Sequence, residues 1–118
     1  LHTFHKKNPG LLSMALFHAP VPTQCGIINL DEENRITDFV EKPNNPASDL
    51  ANAGIMVANP EIIKSIPDTY PSDVAFDILP KLVGKMYGYC IEDFFIDIGT
   101  PENYKKAEQY WHSQVKNN

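Results

Sequence analysis

Glu41 and Lys42 stand side by side in DFVEKPNNP (residues 38–46), and Asp97 stands far along the chain in FFIDIGTPENY (residues 94–104). On a regular strand, neighbouring side chains point to opposite faces. Pro43 ends that regularity, because it removes a ladder donor and holds Lys42 extended or in a polyproline conformation. Both side chains can then reach around one ligand, Glu41 accepting hydrogen bonds from hydroxyls and Lys42 neutralising a phosphate. The competing reading is a solvated strand end. Asp97 follows three apolar residues and precedes Ile-Gly, so its carboxylate is expected at the end of a buried strand, where open α/β sheets gather ligands. A lone carboxylate there suits magnesium, which takes one or two protein carboxylates and completes its shell with phosphate and water. Otherwise Asp97 caps the turn into a helix, a job Thr100 can already do. Gly26 and Gly54 each lie at or near the start of a β-rich run, where glycine permits close approach of a ligand or marks a bulge. Asn52 offers an amide for a hydroxyl, or simply makes a turn.

These groups need elements to position them. LLSMALFH (11–18) follows the turn signal Asn8-Pro9-Gly10 and reads as a strand buried on both faces. CGIINL and RITDFV flank a polar loop at 31–34 as a hairpin, with Asn34 suited to a left-handed position. AGIMVA (53–58) is a further strand, and Asn59-Pro60-Glu61 predicts a short helix to about Ile66, stopped by Pro67. In SDVAFDILPKLVG the residues Ala75, Ile78, Leu79, Leu82 and Val83 fall at helical spacing, Gly84 is placed to terminate, and Pro80 must kink or split the helix. MYGYCI and FFIDIG predict two more strands. Thr100-Pro101-Glu102 then opens a closing helix with Tyr104, Ala107, Glu108, Trp111 and Val115 along one side. Tyr87, Tyr89, Tyr104 and Trp111 read as core or near-core aromatics. The order of elements predicts an α/β fold with a mixed, partly antiparallel sheet and flanking helices.

Length and charge exclude several functions. At 118 residues the chain is sized for one domain. Its net charge of −5 disfavours a general grip on nucleic acid or an anionic membrane, so neither is expected as a partner. Cys25 and Cys90 are isolated, which argues against a disulfide scaffold or zinc site and for a reducing cytoplasm. No apolar run approaches the roughly 18 residues of a membrane span. His2 and His5 form HxxH without further ligands at a convincing spacing and read as solvated. Neither GxSxG, HExxH, a P-loop nor GxGxxG occurs, so serine hydrolase, zinc protease and dinucleotide chemistry have no support.

Taken in order, CGIINLDEENRITDFVEKP, LANAGIMVANPEI, DVAFDILPKLV and YGYCIEDFFIDIGTPENYKKA resemble the sugar-1-phosphate nucleotidylyltransferases, over almost the whole chain. F-x-EKP, N-A-G-I and D-I-G-T-P-x-x-Y are specific in combination. LANAGIMV and KLVGKMYGY look most like bacterial mannose-1-phosphate or heptose-1-phosphate guanylyltransferases. The resemblance implies nucleotidyl transfer from an NTP, GTP favoured, to a sugar 1-phosphate, with magnesium and release of pyrophosphate. It implies that Gly26 lets the sugar phosphate approach the backbone, Glu41 holds sugar hydroxyls, Lys42 binds the phosphate, Asn52 and Gly54 line the sugar pocket, and Asp97 ligates magnesium. Lys42 and Asp97 would then be the catalytic pair. The family's glycine-rich loop with Arg and Lys, and its other metal-binding Asp, do not occur here, and Phe95 stands where many relatives carry Trp. Together with the start at Leu1, this leads to the expectation of a C-terminal, sugar-binding half of a Rossmann-like nucleotidyltransferase domain. Such a piece is expected to be inactive alone and to form homo-oligomers through uncovered apolar surface. The alternatives are a non-catalytic sugar-phosphate-binding or regulatory module, and an interaction domain in which EKP and DIGTP only make turns.

Overall fold

A computed structural model describes residues 1–115 of the chain. Its organising element is β1 (Leu12–His18), whose residues Leu12 to Leu16 are buried on both faces, as the unbroken apolar run requires. A strand with no solvated face must also hydrogen-bond along both edges. It pairs antiparallel with β4 (Leu50–Ala58) and parallel with β5 (Met86–Cys90). Beyond β4 lies the hairpin of β2 (Gly26–Leu30) and β3 (Ile36–Glu41), which completes a mixed sheet in the order β3-β2-β4-β1-β5. The hairpin turns at Asn34, which adopts the expected left-handed conformation with φ 63°.

Alternation along β1 divides the interior. Leu12, Met14 and Leu16 pack with Ile28, Ile36, Phe39 and Met86 beneath Ile78, Leu79 and Leu82 of the β4–β5 crossover. On the opposite face Ser13 meets a helix that periodicity does not reveal, α1 (His2–Lys7). His5 of α1 is buried, not solvated: its Nδ1 lies 2.9 Å from Ser13 Oγ and its Nε2 3.2 Å from Asn59 Oδ1. The Asn59 amide nitrogen donates to the Gly10 carbonyl, so Oδ1 faces the ring as an acceptor. His5 therefore donates through Nε2 and accepts the Ser13 hydroxyl proton at Nδ1. Ser13, His5 and Asn59 here form a largely buried polar joint whose side chains are all partnered.

Several predicted elements take other forms. The helix after Asn59 is a 3₁₀ helix, Pro60–Ser65, and the Asn59 side chain is committed to the polar joint instead of capping it. The amphipathic stretch around Pro80 splits into a π-helical turn, Val74–Ile78, and a 3₁₀ turn, Leu79–Leu82, because the proline cannot continue the first ladder. Asp73 caps the π turn through the amides of Ala75 and Phe76. Gly84 ends the run at φ 83°, its amide reaching the Ile36 carbonyl. FFIDIG is not a strand: residues 94–99 cross the end of the sheet without ladder partners, held by ring contacts of Phe95 with Phe17 and Phe94 with Tyr110. Of the four aromatics expected inside, only Tyr87 is buried, and Tyr89, Tyr104 and Trp111 are exposed. The closing helix α2 (Pro101–Val115) has no buried residue.

Gly88 of β5 tests how tightly the sheet packs, because a Cβ there would lie 2.5 Å from Leu16 and 2.8 Å from Leu30. Gly88→Ala is expected to cost about 1–3 kcal/mol by overpacking. Urea unfolding followed by far-ultraviolet circular dichroism should show a lower midpoint at unchanged slope.

Candidate functional site

Register sets the carboxyl ends of β1, β3 and β5 and the amino ends of β2 and β4 side by side, through Gly26–Glu41, Ile27–Ala51, Phe17–Ala51 and Leu16–Cys90; this row closes one end of β1, β4 and β5, and the β2–β3 hairpin, antiparallel to β4, runs on beyond it. Residues 91–99 leave β5 at this end and pass over it, and α2 follows. Between them lies an open cleft of about 840 Å³. Glu41, Gly26, Asn52, Gly54 and Asp97 all line it, so five of the six residues singled out from the sequence converge on one place.

Each reaches the cleft for a local reason. Gly26 pairs directly with Glu41 across the hairpin, and a Cβ on Gly26 would lie 2.7 Å from Glu41 Oε2 and 2.9 Å from the Phe39 ring. The missing side chain is the space through which the Glu41 carboxylate folds back over β2. Gly54 sits in the bulge where three β4 residues oppose one of β1, at φ 75°, a conformation that favours glycine. Asn52 Oδ1 accepts the Gly54 amide at 2.8 Å, which fixes the bulge and leaves the amide nitrogen as the group available to a ligand. Asp97 Oδ1 accepts the Gly99 amide at 2.8 Å, while Thr100 caps α2 through the amide of Asn103. Asp97 thus makes the tight turn as well as facing the cleft.

Lys42 departs from expectation. It is not extended before Pro43 but left-handed, with φ 46°, a rare conformation for a non-glycine residue. Its amide donates to the Cys25 carbonyl at 3.0 Å, continuing the β2–β3 ladder by one bond while the chain turns away. Its side chain is not among those lining the cleft, although it remains close. Burial pushes the Cys25 thiol above its ordinary range; Glu41 adds to the rise, Lys42 opposes it, and Asp97 adds again. All three charges of the sequence motif therefore act on one sulfur at the cleft wall.

The cleft also holds groups that motif reasoning did not find. His18 ends β1, with Nδ1 at 2.9 Å from Asp49, whose carboxyl this contact holds below its usual range. Glu102 and Lys106 line the α2 wall and pair at 2.7 Å. A sequence signal existed for both: His18 terminates a buried strand, the argument applied to Asp97, and Thr100, Asn103 and Lys106 recur at helical spacing.

For a metal, the donor set is sparse. No group of three His, Cys, Asp or Glu side chains suited to an ion occurs among the described residues. One Asp97 oxygen accepts the Gly99 amide, and the other is available. A protein cage is thus ruled out among these residues, whereas a cation that draws most of its shell from water and phosphate fits them.

Comparison with known proteins follows the same lines. The nucleotidyl transferase family profile matches residues 1–114. Mannose-1-phosphate guanylyltransferase of Mycobacterium tuberculosis is 32% identical over 108 residues, covering 88% of this chain and 30% of that protein. Glucose-1-phosphate adenylyltransferase of Fervidobacterium nodosum is 33% identical over 123 residues, 96% of this chain and 28% of that protein. A solved Bacillus anthracis structure described as a glucose-1-phosphate thymidylyltransferase, in complex with sucrose, superposes with a TM-score of 0.76 over 92% of this chain and 46% of its own; at 21% identity it shows the fold. The chain belongs to the nucleotidyl transferase family, as one of the sugar-1-phosphate nucleotidyltransferases its motifs resemble. It spans about three-tenths of the length of the curated relatives. Those relatives differ in sugar and base at nearly equal identity, so the likeness carries the family and not the substrate.

The clustering of charge around Cys25 has a measurable sign. In a Cys90→Ser background, Glu41→Gln removes a charge that raises the thiol pKa, so more thiolate forms at a given pH below it; Lys42→Ala does the reverse. Alkylation by iodoacetamide near pH 8 should be faster than in the parent for the first variant and slower for the second.

Proposed function

We propose that this chain forms the sugar-phosphate side of an enzyme that transfers a nucleotidyl group from an NTP to a sugar 1-phosphate. A phosphate oxygen of the sugar phosphate attacks the α-phosphorus, the new P–O bond forms, and the α–β bridging bond breaks to release pyrophosphate. The observation that supports this most is the meeting of Glu41 and Asp97, from opposite parts of the sequence, in one cleft with Asn52 and two glycines.

The attack brings together two anions, so positioning and charge neutralisation carry the chemistry. Glu41, held over Gly26, accepts hydrogen bonds from sugar hydroxyls, and the Asn52 amide donates to another. Gly26 and Gly54 keep the floor clear of side chains. Lys42 swings its ammonium from the cleft margin to the phosphate as a point charge. Asp97 would hold magnesium through its available oxygen. The bound ion would supply positive charge to the phosphates and hold them in line. GTP is the proposed donor, on the strength of the guanylyltransferase-like LANAGIMV and KLVGKMYGY, and the cytoplasm the proposed setting. No helix among the described residues is long and apolar enough to cross a membrane.

The nucleotide-binding half and the remaining metal ligand are proposed to come from polypeptide outside these 118 residues, in keeping with the fraction of the relatives that the chain spans. The chain alone then binds sugar phosphate without turning over NTP. Its exposed aromatics on α2, with Trp111 at 67% and Tyr104 at 52% accessibility, favour association with a second copy. Light scattering should show mass rising with concentration, and a monomer throughout would refute that part.

Calorimetric titration with mannose 1-phosphate tests the reading. Binding should require magnesium for full affinity, Lys42→Ala should weaken it by about 1.5–3 kcal/mol, and Asp97→Asn should abolish the magnesium dependence. Detectable NDP-sugar formation by the purified chain would overturn the proposed inactivity.

A further inference from the structure

We propose that Lys106 is the cleft's own receptor for the ligand's anionic group, held in reserve by Glu102 until that group displaces the carboxylate. The inference rests on the sugar-phosphate reading and deepens it, by assigning a binding residue that the sequence motifs do not contain.

Charge in the cleft wall is unbalanced. Glu41, Asp97 and Glu102 place three carboxylates in the cleft wall, and Lys106 is the one Lys or Arg among the described residues lining it. A phosphorylated ligand entering this space meets net negative charge, and each uncompensated approach is unfavourable where water is partly excluded. Lys42 does not line the cleft, although it lies near enough to act on Cys25 in its wall. Lys106 lines the cleft itself, from α2.

Its present partner leaves it free to exchange. The Lys106 Nζ to Glu102 Oε1 contact is short, 2.7 Å, yet both side chains are more than half exposed. Exposed pairs one helical turn apart contribute little, because water and side-chain entropy compete with them. Glu102 nonetheless keeps the ammonium localised, and the hydrogen bond and charge of the lysine hold the Glu102 carboxyl below its usual range. A phosphate is a stronger partner for an ammonium than one solvated carboxylate. Exchange costs little and releases Glu102 to water. A purely helix-supporting role explains the pairing but not its place in the cleft wall; Lys105, the adjacent lysine, does not line the cleft.

The two roles differ in sign. If Lys106 receives the anion, removing it weakens binding, while removing Glu102 strengthens binding by freeing the lysine and lifting a repulsive charge. Calorimetric titration of the protein with mannose 1-phosphate and with inorganic phosphate, each with magnesium present, distinguishes them. Lys106→Gln should raise Kd about fivefold and Glu102→Gln should lower it about twofold. Lys106→Arg should restore most of the affinity, Lys105→Gln should leave it unchanged, and circular dichroism should show the folded content of the parent in all four. Unchanged Kd in both Lys106→Gln and Glu102→Gln, or shifts in the same direction, would overturn the inference while leaving the sugar-phosphate site standing. Absence of binding by the parent protein would remove both.

Discussion

A strand apolar on every side must be covered above and below and hydrogen-bonded on both edges, and β1 obliges the rest of the chain to supply this. Accepting β4 antiparallel and β5 parallel brings strand ends of both polarities to the same end of the sheet. From that constraint follows the cleft: the chain leaving β5 has to cross this end to reach α2, and Asp97 is carried over the strand termini that bear Glu41 and Asn52. The site is a by-product of how the core is buried.

Within that frame the residue that matters most has no side chain. Gly26 faces Glu41 across the ladder, and the emptiness above it admits the carboxylate to the cleft. An alanine there would have to displace both the carboxylate and the ring of Phe39, which belongs to the main core. One missing methyl group thus couples the interior to the wall of the cleft.

The sequence revealed much of this where local chemistry and tertiary context agree. The buried strand, the hairpin with its left-handed Asn34, the split at Pro80 and the stop at Gly84 all follow from short-range rules. The disagreements come from partners that lie far along the chain. FFIDIG has the composition of a strand, but it crosses the strand termini, where it finds no ladder, and its rings anchor on Phe17 and Tyr110 instead. Asn59 has the form of a helix cap but is claimed by His5, a residue whose burial depends on a helix too short to show a period. Lys42 obeyed neither proline's preference nor strand geometry, because the ladder bond to Cys25 decided its backbone. The five convergent site residues were legible as types, while the lysine inside the cleft was hidden in an ordinary helical charge pair.

The position of Trp111 has a bearing on spectroscopy. It is the single tryptophan of the chain, and it sits on an outer helix in water. An indole already solvated in the native state emits with little change when the chain opens, so its fluorescence is nearly blind to the melting of the sheet. The same placement makes it a sensitive optical reporter of anything that comes to rest on α2, since desolvation of the ring would shift its emission to the blue against a constant background.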